Sequence, residues 1–422
     1  MVSYFDGRET QSPADRERSL FERLPEALAA ARRAAPAIAR QLQGLDEAGL
    51  TSREALAAVP VLRKSELLQA QHESRIQGSH QAQDVISRVF GGFSTLSWGR
   101  AVRVFASPGP MYEPEGARPD YWRFARALHA AGFRRNDLVH NCFSYHFTPA
   151  GSMMETAAHA LSCTVFPGGV GQTEQQVRAM ADLAPDGYTG TPSFLRIILE
   201  KADEMGVALP SLRRALFSGE AYPPSLHAWF QARGLDGYQA YGSADLGMVA
   251  YESQAREGLI VNEDIILEIV RPGTSQPVPP GEVGEVVVTT LNPDYPLLRF
   301  GTGDLSAILP GVSACGRTNI RIKGWMGRAD QTTKVRGMFV HPEQVAHVLA
   351  RHPEVLRGRL VVSGQAGHDD MSFKVEIQGD ASLDALAASV REFTKLRARI
   401  EAVAPGSLPN DGKVIEDARS YD

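Results

Sequence analysis

Between about residues 119 and 233, amphipathic helical segments alternate with short apolar segments. This alternation restricts the possible fold classes more than any other pattern in the sequence. Helical spacing of apolar residues predicts helices over residues 120–133, 153–162, 174–183, 193–205 and 224–233. Apolar runs predict strands at residues 138–143, 164–167, 187–189 and 214–217. Repeated βα units with short Gly and Pro breaks are typical of a mostly parallel sheet packed by helices.

The pattern changes after Tyr241. Two Val- and Ile-rich runs, residues 259–269 and 284–291, flank a turn-rich segment and predict a β-rich subdomain. Helices at 342–351 and 383–403, with strands at 359–362 and 373–377, predict a compact α+β lid. The fold class is therefore α/β, with a large N-terminal body over residues 1–329 and a small, mobile C-terminal domain over residues 330–422.

Composition excludes several functions. The formal net charge of −5 over 422 residues leaves no basic excess that would favour nucleic-acid binding. No run of about 18 apolar residues is present to span a membrane, and the N-terminal residues lack the apolar stretch of a signal peptide. Cys142, Cys163 and Cys315 are widely spaced and form no metal-ligand pair, which favours a reduced, cytoplasmic setting.

Four short motifs occur in a fixed order in the second half of the chain. They are Tyr241 to Gly247 (YGSADLG), Arg299 to Asp304 (RFGTGD), Gly327 to Asp330 (GRAD) and Gly412-Lys413. In this order and spacing the chain resembles the adenylate-forming superfamily of acyl-CoA synthetases, and within it the phenylacetate-CoA ligase branch. The resemblance extends from roughly Val59 to Arg419.

The resemblance implies a nucleotide site. Asp304 would grip the ATP ribose, residues 218–221 would line the adenine pocket, and the Tyr241 ring would stack on adenine. The full set of nucleotide-binding residues is Ser218, Gly219, Glu220, Ala221, Tyr241, Gly242, Ser243, Ala244, Asp304 and Arg328. Asp245 stands where the family has a magnesium-binding Glu, one methylene longer. A structural turn with a helix-capping Asp is the alternative interpretation of this segment.

Two catalytic roles also follow from the resemblance. Lys413 would lie between the substrate carboxylate and the α-phosphate and offset the charge that develops there. Asp330 would be the hinge about which the small domain swings between the two half-reactions, and Arg336 and Gly337, just beyond it, would contact coenzyme A. Only seven lysines occur in the chain, which favours catalysis over an exposed tail lysine for Lys413.

The acid pocket is predicted from segments that follow strands. Tyr145, His146 and Phe147 follow one predicted strand, and Gly168 and Gly169 follow the next. Sites in open α/β sheets lie at the carboxyl ends of strands, and these side chains suit an aromatic or apolar acid. A packed aromatic cluster without a binding role remains the alternative.

The chain departs from the family pattern at the phosphate loop. The family's Ser-, Thr-, Gly- and Lys-rich loop is replaced by Pro108 to Gly116 (PGPMYEPEG). Prolines donate no N–H, and Glu113 and Glu115 would repel a triphosphate. ATP would then be held through other groups, Arg103 and Arg118 among the candidates, or the loop serves another use.

A second departure concerns zinc. Several relatives have a structural zinc site whose ligands would align with Ser253, Ile260, Ser313 and Cys315. One sulfur does not make a tetrahedral site, so we expect no zinc here.

Taken together, these residues and the resemblance predict an AMP-forming acid–thiol ligase that uses ATP, Mg²⁺ and CoA to activate a carboxylic acid. We expect the acid to be aromatic. Two alternatives stay open: transfer to a carrier-protein phosphopantetheine, and a degenerate relative that binds nucleotide, acid or CoA thioester without turnover. The partners expected are small molecules, with no nucleic acid and no membrane, and a homodimer stays open.

Overall fold

The computed structural model describes residues 3–77, 88–329, 331, 333–335, 338–365 and 368–419. Its α-helices are α1 (Pro13–Ala34), α2 (Pro36–Gln41), α3 (Arg53–Leu56), α4 (Lys64–Gln77), α5 (Ala125–Ala130), α6 (Ala150–Ala160), α7 (Thr173–Leu183), α8 (Pro192–Glu204), α9 (Pro224–Gln231), α10 (Pro342–Arg351) and α11 (Leu383–Thr394). Within the described ranges, none of these helices combines the length and apolar character that a membrane span requires.

The strands of the first 260 residues are β1 (Leu62–Arg63), β2 (Ala101–Ser107), β3 (Met111–Gly116), β4 (Leu138–Asn141), β5 (Thr164–Phe166), β6 (Gly187–Gly190), β7 (Arg214–Phe217), β8 (Asp236–Ser243), β9 (Gly247–Glu252) and β10 (Leu259–Val261). The later strands are β11 (Ile265–Val270), β12 (Gly284–Thr290), β13 (Phe300–Ser306), β14 (Ile308–Leu309), β15 (Arg321–Ile322), β16 (Thr333–Val335), β17 (Met338–Val340), β18 (Val355–Gln365), β19 (His368–Ile377), β20 (Arg399–Val403) and β21 (Ile415–Asp417).

The largest sheet has the order β14-β15-β10-β9-β8-β7-β6-β4-β5. Strands β5, β4, β6, β7 and β8 pair in parallel, whereas β8, β9, β10 and β15 pair antiparallel. Parallel strands are buried on both faces, which is why β6 is buried along its whole length. The α/β class predicted from the alternating pattern is confirmed.

The helices between these strands are amphipathic, and α8 illustrates how the sequence builds them. The Thr191 side chain accepts a hydrogen bond from the Phe194 N–H and caps the helix, and Pro192 occupies its first turn. Leu195, Ile198 and Ala202 lie on one face and are buried. Each such face covers the sheet and leaves the strand ends open.

A four-stranded sheet of order β1-β13-β12-β11 contains the predicted β-rich subdomain. Its strands β11 and β12 are buried along their whole length. The turn-rich segment between them begins with a bridge between Val270 and Pro277.

The C-terminal residues form a sheet of order β20-β19-β18-β21 with helices α10 and α11. The helix predicted over residues 383–403 is too long. Lys395 takes a left-handed conformation (φ 61°) that ends α11, and residues 399–403 instead form β20, parallel to β19.

The chain divides into two compact units. One comprises Met1–Leu267, Val288–Phe300 and Leu309–Gly324, and the other comprises Glu268–Val287, Gly301–Ile308 and Trp325–Asp422. The second unit thus takes in segments from before residue 325 as well as the C-terminal residues. The domain boundary at residue 330 and the mobility of the small domain stay predictions.

Candidate active site

Asp304 lies in β13, where its carboxylate is fixed by neighbours from a later segment. Its Oδ1 accepts hydrogen bonds from Arg328 Nη1 at 2.8 Å and from Trp325 Nε1 at 3.2 Å. Gly303, at φ 72°, leaves room for this pairing, since a Cβ there would lie 2.6 Å from Arg328 Nη2. The structure therefore brings together two of the predicted nucleotide-binding residues, Asp304 and Arg328.

Lys413 is exposed on a loop that lies beside the strand of Asp304. Gly412 packs so closely on Leu305 that a Cβ there would come within 3.0 Å of its side chain. The Lys413 N–H donates to Asp411 Oδ1 at 3.0 Å, and Arg359 holds that same carboxylate in an ion pair.

The backbone of the Lys413 loop is hydrogen-bonded to the side chain of Gln331, a residue that the sequence analysis did not identify. Gln331 Oε1 accepts from the N–H groups of Val414 (2.6 Å) and Ile415 (2.9 Å), and its Nε2 donates to the Gly412 carbonyl at 2.9 Å. Three bonds from one side chain fix the backbone on both sides of Lys413. The only sequence signal was its place directly after the predicted hinge residue.

The predicted adenine segments lie at neighbouring strand ends. Ser218, Gly219, Glu220 and Ala221 follow β7 and are mostly exposed, and Tyr241, Gly242 and Ser243 end β8, which pairs in parallel with β7. A tight connection closes β8 onto β9, with Leu246 N–H donating to Ser243 Oγ at 3.2 Å. Gly242 cannot be larger, because a Cβ would lie 2.6 Å from the Gly247 carbonyl oxygen. Ala244 completes this turn.

The predicted acid-pocket segments follow β4 and β5 at the same sheet edge. Asn141 organises the first of them: its Nδ2 donates to Tyr145 Oη (2.8 Å) and to the Gly151 carbonyl (2.9 Å). Its Oδ1 accepts from Phe143 N–H and Thr189 Oγ1. Burial, reinforced by Glu155, raises the pKa of the Tyr145 phenol above its ordinary value, so Tyr145 stays a neutral hydrogen-bonding group.

His146 and Phe147 are exposed, and Phe147 is 81% accessible with a left-handed backbone (φ 62°). Such a conformation is uncommon for a bulky residue. The packed aromatic cluster considered as the alternative would bury the His146 and Phe147 rings, so their exposure argues against it. Their role in acid binding stays a prediction.

Gly168 and Gly169 lie in a loop that is stabilised by hydrogen bonds from the Gln176 side chain. Its Nε2 donates to the carbonyl oxygens of Gly168 (2.9 Å) and Gly169 (3.3 Å). A Cβ on Gly168 would lie 2.6 Å from Gln176 Oε1. Gln176 Oε1 in turn lies 2.6 Å from His140 Nε2, so a buried polar pair supports the loop.

The segment at the phosphate-loop position is a tight β-hairpin. Strands β2 and β3 pair up to Ser107 and Met111, so only residues 108–110 form the turn. Glu113 and Glu115 are buried inside it, and Glu115 accepts from Ser152 Oγ at 2.8 Å. There is no open glycine-rich loop here to surround a triphosphate.

Arg103 and Arg118, the candidates to replace that loop, both have carboxylate partners. Arg103 Nη1 lies 3.4 Å from Glu115 Oε1, and Arg118 Nε lies 3.2 Å from Asp294 Oδ2. The Arg118 guanidinium also lies over the Tyr121 ring, 5.2 Å from its centroid.

Beside the hairpin, Lys64 at the start of α4 pairs with Asp245. The Nζ–Oδ2 distance is 3.0 Å, the Asp245 side chain is 0% exposed and the Lys64 side chain is 37% exposed. Sequence reasoning singled out Asp245 but assigned nothing to Lys64, although the scarcity of lysines was a signal. The alternative interpretation of Asp245 as a helix-capping residue is wrong, because its turn leads into strand β9 and not into a helix. The Asp245 carboxylate instead forms a specific ion pair.

Glu113 is the second buried carboxyl group in this cluster. Burial, together with the nearby Asp245 carboxylate, raises the pKa of Glu113 to about 8. Glu113 Oε2 and Asp245 Oδ1 are both buried without a hydrogen-bond partner among the described residues. Two unpartnered carboxylate oxygens match the ligands of Mg²⁺, which commonly takes one or two carboxylates plus water and phosphate oxygens.

The positions aligned with the relatives' zinc ligands do meet in space. Ser313 Oγ lies 3.2 Å from Cys315 Sγ, and Ser253 and Ile260 are also buried. Burial opposes the Cys315 thiolate, but hydrogen bonds from Ser253, Ser313 and Arg317 outweigh it and lower the thiol pKa. In the described part of the chain, no group of three or more His, Cys, Asp or Glu side chains could hold a metal ion. That zinc is not bound stays a prediction.

Three predicted site residues, Asp330, Arg336 and Gly337, lie outside the described residues. Their hinge and CoA-binding roles stay predictions.

The chain matches known proteins over most of its length. The family model for AMP-binding enzymes matches residues 121–292. The phenylacetate-coenzyme A ligase of Thermus thermophilus is 31% identical over 350 residues, which cover 79% of this chain and 75% of that protein. The enzyme of the same name from Aromatoleum evansii is 30% identical over 336 residues, which cover 73% of this chain and 76% of that protein.

The fold is also similar to that of a solved acyl-CoA ligase structure. An open conformation of 2-hydroxyisobutyryl-CoA ligase, in complex with 2-HIB-AMP and CoA, superposes with a TM-score of 0.71 at 25% identity. The match covers 95% of this chain and 91% of that one.

Proposed function

This chain belongs to the phenylacetate-CoA ligase family of AMP-binding enzymes, and from that membership we propose that it activates a carboxylic acid with ATP and transfers the acyl group to coenzyme A. In the first step a carboxylate oxygen bonds to the α-phosphorus of ATP and the bond to the bridging oxygen breaks, which releases pyrophosphate. In the second, the CoA sulfur bonds to the acyl carbon, AMP leaves and the thiol proton passes to solvent. The reaction class is an AMP-forming acid–thiol ligase.

One observation carries this proposal: the Lys413 loop packs on Leu305, next to Asp304. In the proposed mechanism Asp304, oriented by Arg328, accepts hydrogen bonds from the ribose hydroxyls. Lys413, an exposed cation on the neighbouring loop, offsets the charge that builds up on the α-phosphate. The adenine-binding role of Tyr241 and residues 218–221 stays a prediction from the family resemblance.

Mg²⁺ would be held by Asp245 and Glu113, whose unpartnered oxygens provide two of its ligands. When bound, the ion would neutralise phosphate charge. Deprotonated Glu113 is required for this role, and a bound cation would favour that form.

For the acid we propose an aromatic or apolar carboxylic acid. Phe147 is exposed beside the half-buried Tyr145, and both lie at the strand edge where the Gly168-Gly169 loop also ends. Aromatic surface of this kind gains most from contact with an apolar or aromatic group.

The setting of the protein is proposed to be the cytoplasm. Its three cysteines are free and buried, which fits a reducing compartment. That the protein forms a homodimer also stays a proposal.

The decisive experiment measures pyrophosphate and AMP release from ATP against a panel of aromatic and aliphatic acids, with and without CoA. We expect acid-dependent pyrophosphate release without CoA, and acyl-CoA with AMP when CoA is added. A holo carrier protein in place of CoA tests the alternative acceptor. A wild-type chain that neither binds ATP nor releases pyrophosphate with any acid contradicts the ligase.

A second candidate function is favoured by the hairpin at residues 101–116. Because only three residues form its turn, a chain that binds an adenylate or CoA thioester without forming it is the alternative. Calorimetry that shows tight binding of such a ligand, with no turnover in the panel above, would support this candidate over the ligase.

A further inference from the structure

The pyrophosphate that leaves in the proposed reaction requires positively charged groups around it. Pyrophosphate carries several negative charges, and enzymes that release it surround it with cations and N–H donors. The hairpin at residues 101–116 is poor in both, since its turn contains two prolines and its buried side chains include Glu113 and Glu115. Its one arginine, Arg103, is paired with Glu115. Another element must therefore supply the positive charge.

Helix α4 is that element, because it packs directly on the hairpin. Gln71 bonds to both backbone groups of Tyr112: its Nε2 donates to the carbonyl and its Oε1 accepts from the N–H, each at 2.9 Å. At the hairpin turn, a Cβ on Gly109 would lie 2.9 Å from the Leu68 side chain. The first turn of α4 is thereby held next to the position where the family's loop would lie.

Lys64 is the first residue of this helix, and its ammonium group reaches Asp245. Asp245 ends the segment that begins with Tyr241, so the segment leads from the proposed adenine surface to Lys64. The lysine is 37% exposed while its partner is 0% exposed. An ammonium group has three donors, so Lys64 can keep Asp245 Oδ2 and still offer two donors to an anion from solvent.

The two arginines at this end of the molecule are less suitable. Arg103 points to buried Glu115 and to Ser152. Arg118 is engaged by Asp294 and Asn292. Neither guanidinium contacts Asp245 in any hydrogen bond or ion pair found among the described residues.

We propose that Lys64 binds the β- and γ-phosphates of ATP and the departing pyrophosphate, and so takes the place of the missing phosphate-loop lysine. This inference rests on the proposed function. Asp245 has two roles in this arrangement: Oδ2 orients Lys64, and Oδ1 would be a ligand of the proposed cation.

The test compares two ligands that differ in the groups Lys64 would touch. Binding of ATP and of an acyl-sulfamoyl adenosine, which lacks the β- and γ-phosphates, is measured by calorimetry for the wild type and for Lys64→Met. We expect ATP affinity to fall at least tenfold and the affinity of the sulfamoyl compound to change less than twofold. Lys201→Met, an exposed lysine paired with Glu204 on α8, is the matched control.

A merely structural lysine would give a different result. If loss of the ion pair distorted the site, both ligands would weaken together, and that outcome overturns the proposal, as does unchanged ATP binding. A wild type that binds the sulfamoyl compound but not ATP also overturns it, while leaving an adenylate-binding role intact. A wild type that binds neither ligand and shows no turnover contradicts the proposed function itself.

A second measurement uses the unaltered protein, in case Lys64→Met does not fold. Acetylation of lysines by acetic anhydride is followed by peptide mass spectrometry in the presence of pyrophosphate, AMP or no ligand. We expect pyrophosphate to slow acetylation of Lys64 several-fold, and AMP and Lys201 to show no such protection. Equal acetylation of Lys64 under all three conditions overturns the proposal.

Discussion

The side-chain amide of Gln331 donates a hydrogen bond to the carbonyl oxygen of Gly412, the residue before Lys413, at 2.9 Å. The same amide accepts from Val414 and Ile415 on the other side of the lysine. Gln331 directly follows Asp330, the predicted hinge. If that hinge prediction holds, Gln331 moves together with the lysine loop and preserves its shape in both half-reactions.

Gln331→Ala should therefore lower the rate of adenylation. Without the three bonds the Lys413 backbone loses its fixed position, and small misplacements of a catalytic group cost about tenfold to a hundredfold in rate. We expect kcat for pyrophosphate release to fall by that factor, with KM for ATP and acid changed less than threefold.

Gln331→Glu and Gln378→Ala are the comparison variants. The Glu variant retains the acceptor for Val414 and Ile415 but loses the donor to Gly412, so its kcat should be intermediate. Gln378 is exposed in the same unit and should have no effect. A rise in KM with kcat unchanged in Gln331→Ala would contradict a positioning role.

Asn141→Ala should affect both stability and acid binding. The change removes the hydrogen bonds that Asn141 makes with the buried Thr189 hydroxyl, the Gly151 carbonyl and the Phe143 N–H, and such losses cost about 2–4 kcal/mol in unfolding free energy. It also removes the donor to Tyr145 Oη. We expect a lower urea midpoint and a KM for the acid raised more than the KM for ATP; equal changes in the two KM values would argue against a role in the acid pocket.

How far the sequence predicts this molecule depends on whether the signal is local. The helices and parallel strands between residues 119 and 233 were predictable because their apolar periodicity is contained within each segment. The helix predicted over residues 120–133 is nevertheless shorter, since α5 covers only Ala125–Ala130. The end of α11 was not, because residues 399–403 become a strand only through pairing with β19. Apolar spacing alone continues across Lys395 and does not reveal that residue's left-handed backbone.

The site shows the same limit. Asp304 and Lys413 stand out because each lies in a recognisable motif. Lys64 has no motif of its own, and its partner Asp245 is 181 positions away. The sequence showed residues 108–116 only as a departure from the family's phosphate loop. It did not reveal the hairpin, because the register between β2 and β3 is set by their pairing and not by either strand alone.

Asp120→Asn should stabilise the protein in a pH-dependent way. Burial raises the pKa of Asp120 to about 7, whereas in the unfolded chain it is near 3.9. The folded state therefore binds more protons at this group, so its contribution to stability is complete below about pH 4 and is lost as the pH rises through 7.

The Asn side chain retains the oxygen that accepts from the Ala125 N–H and carries no charge. We expect Asp120→Asn to unfold at a higher urea concentration than the wild type at pH 8, by about 1 kcal/mol or more in unfolding free energy, and the difference to shrink towards pH 5. Asp182→Asn, on the exposed face of α7, should show no such trend. A difference that is constant across the pH range would contradict a buried carboxylate as its cause.

Lys413→Ala should lower the rate of acid-dependent adenylation by a factor of about 10²–10³ while leaving the fold intact. The side chain is exposed and the loop is held by Gln331 and Asp411 through its backbone, so thermal stability should be unchanged. Loss of one charge that stabilises a transition state typically costs 10²–10³ in kcat, roughly 3–4 kcal/mol. Pyrophosphate release is the assay, with Lys201→Ala as the matched control.

The second half-reaction shows whether Lys413 acts only in adenylation or in both half-reactions. If Lys413 acts only on the α-phosphate during attack by the acid, Lys413→Ala should still convert a supplied acyl-adenylate and CoA to acyl-CoA at close to the wild-type rate. Acyl-CoA formation from the supplied adenylate is followed by mass spectrometry. Equal loss of both half-reactions would instead place Lys413 in a role common to the two steps.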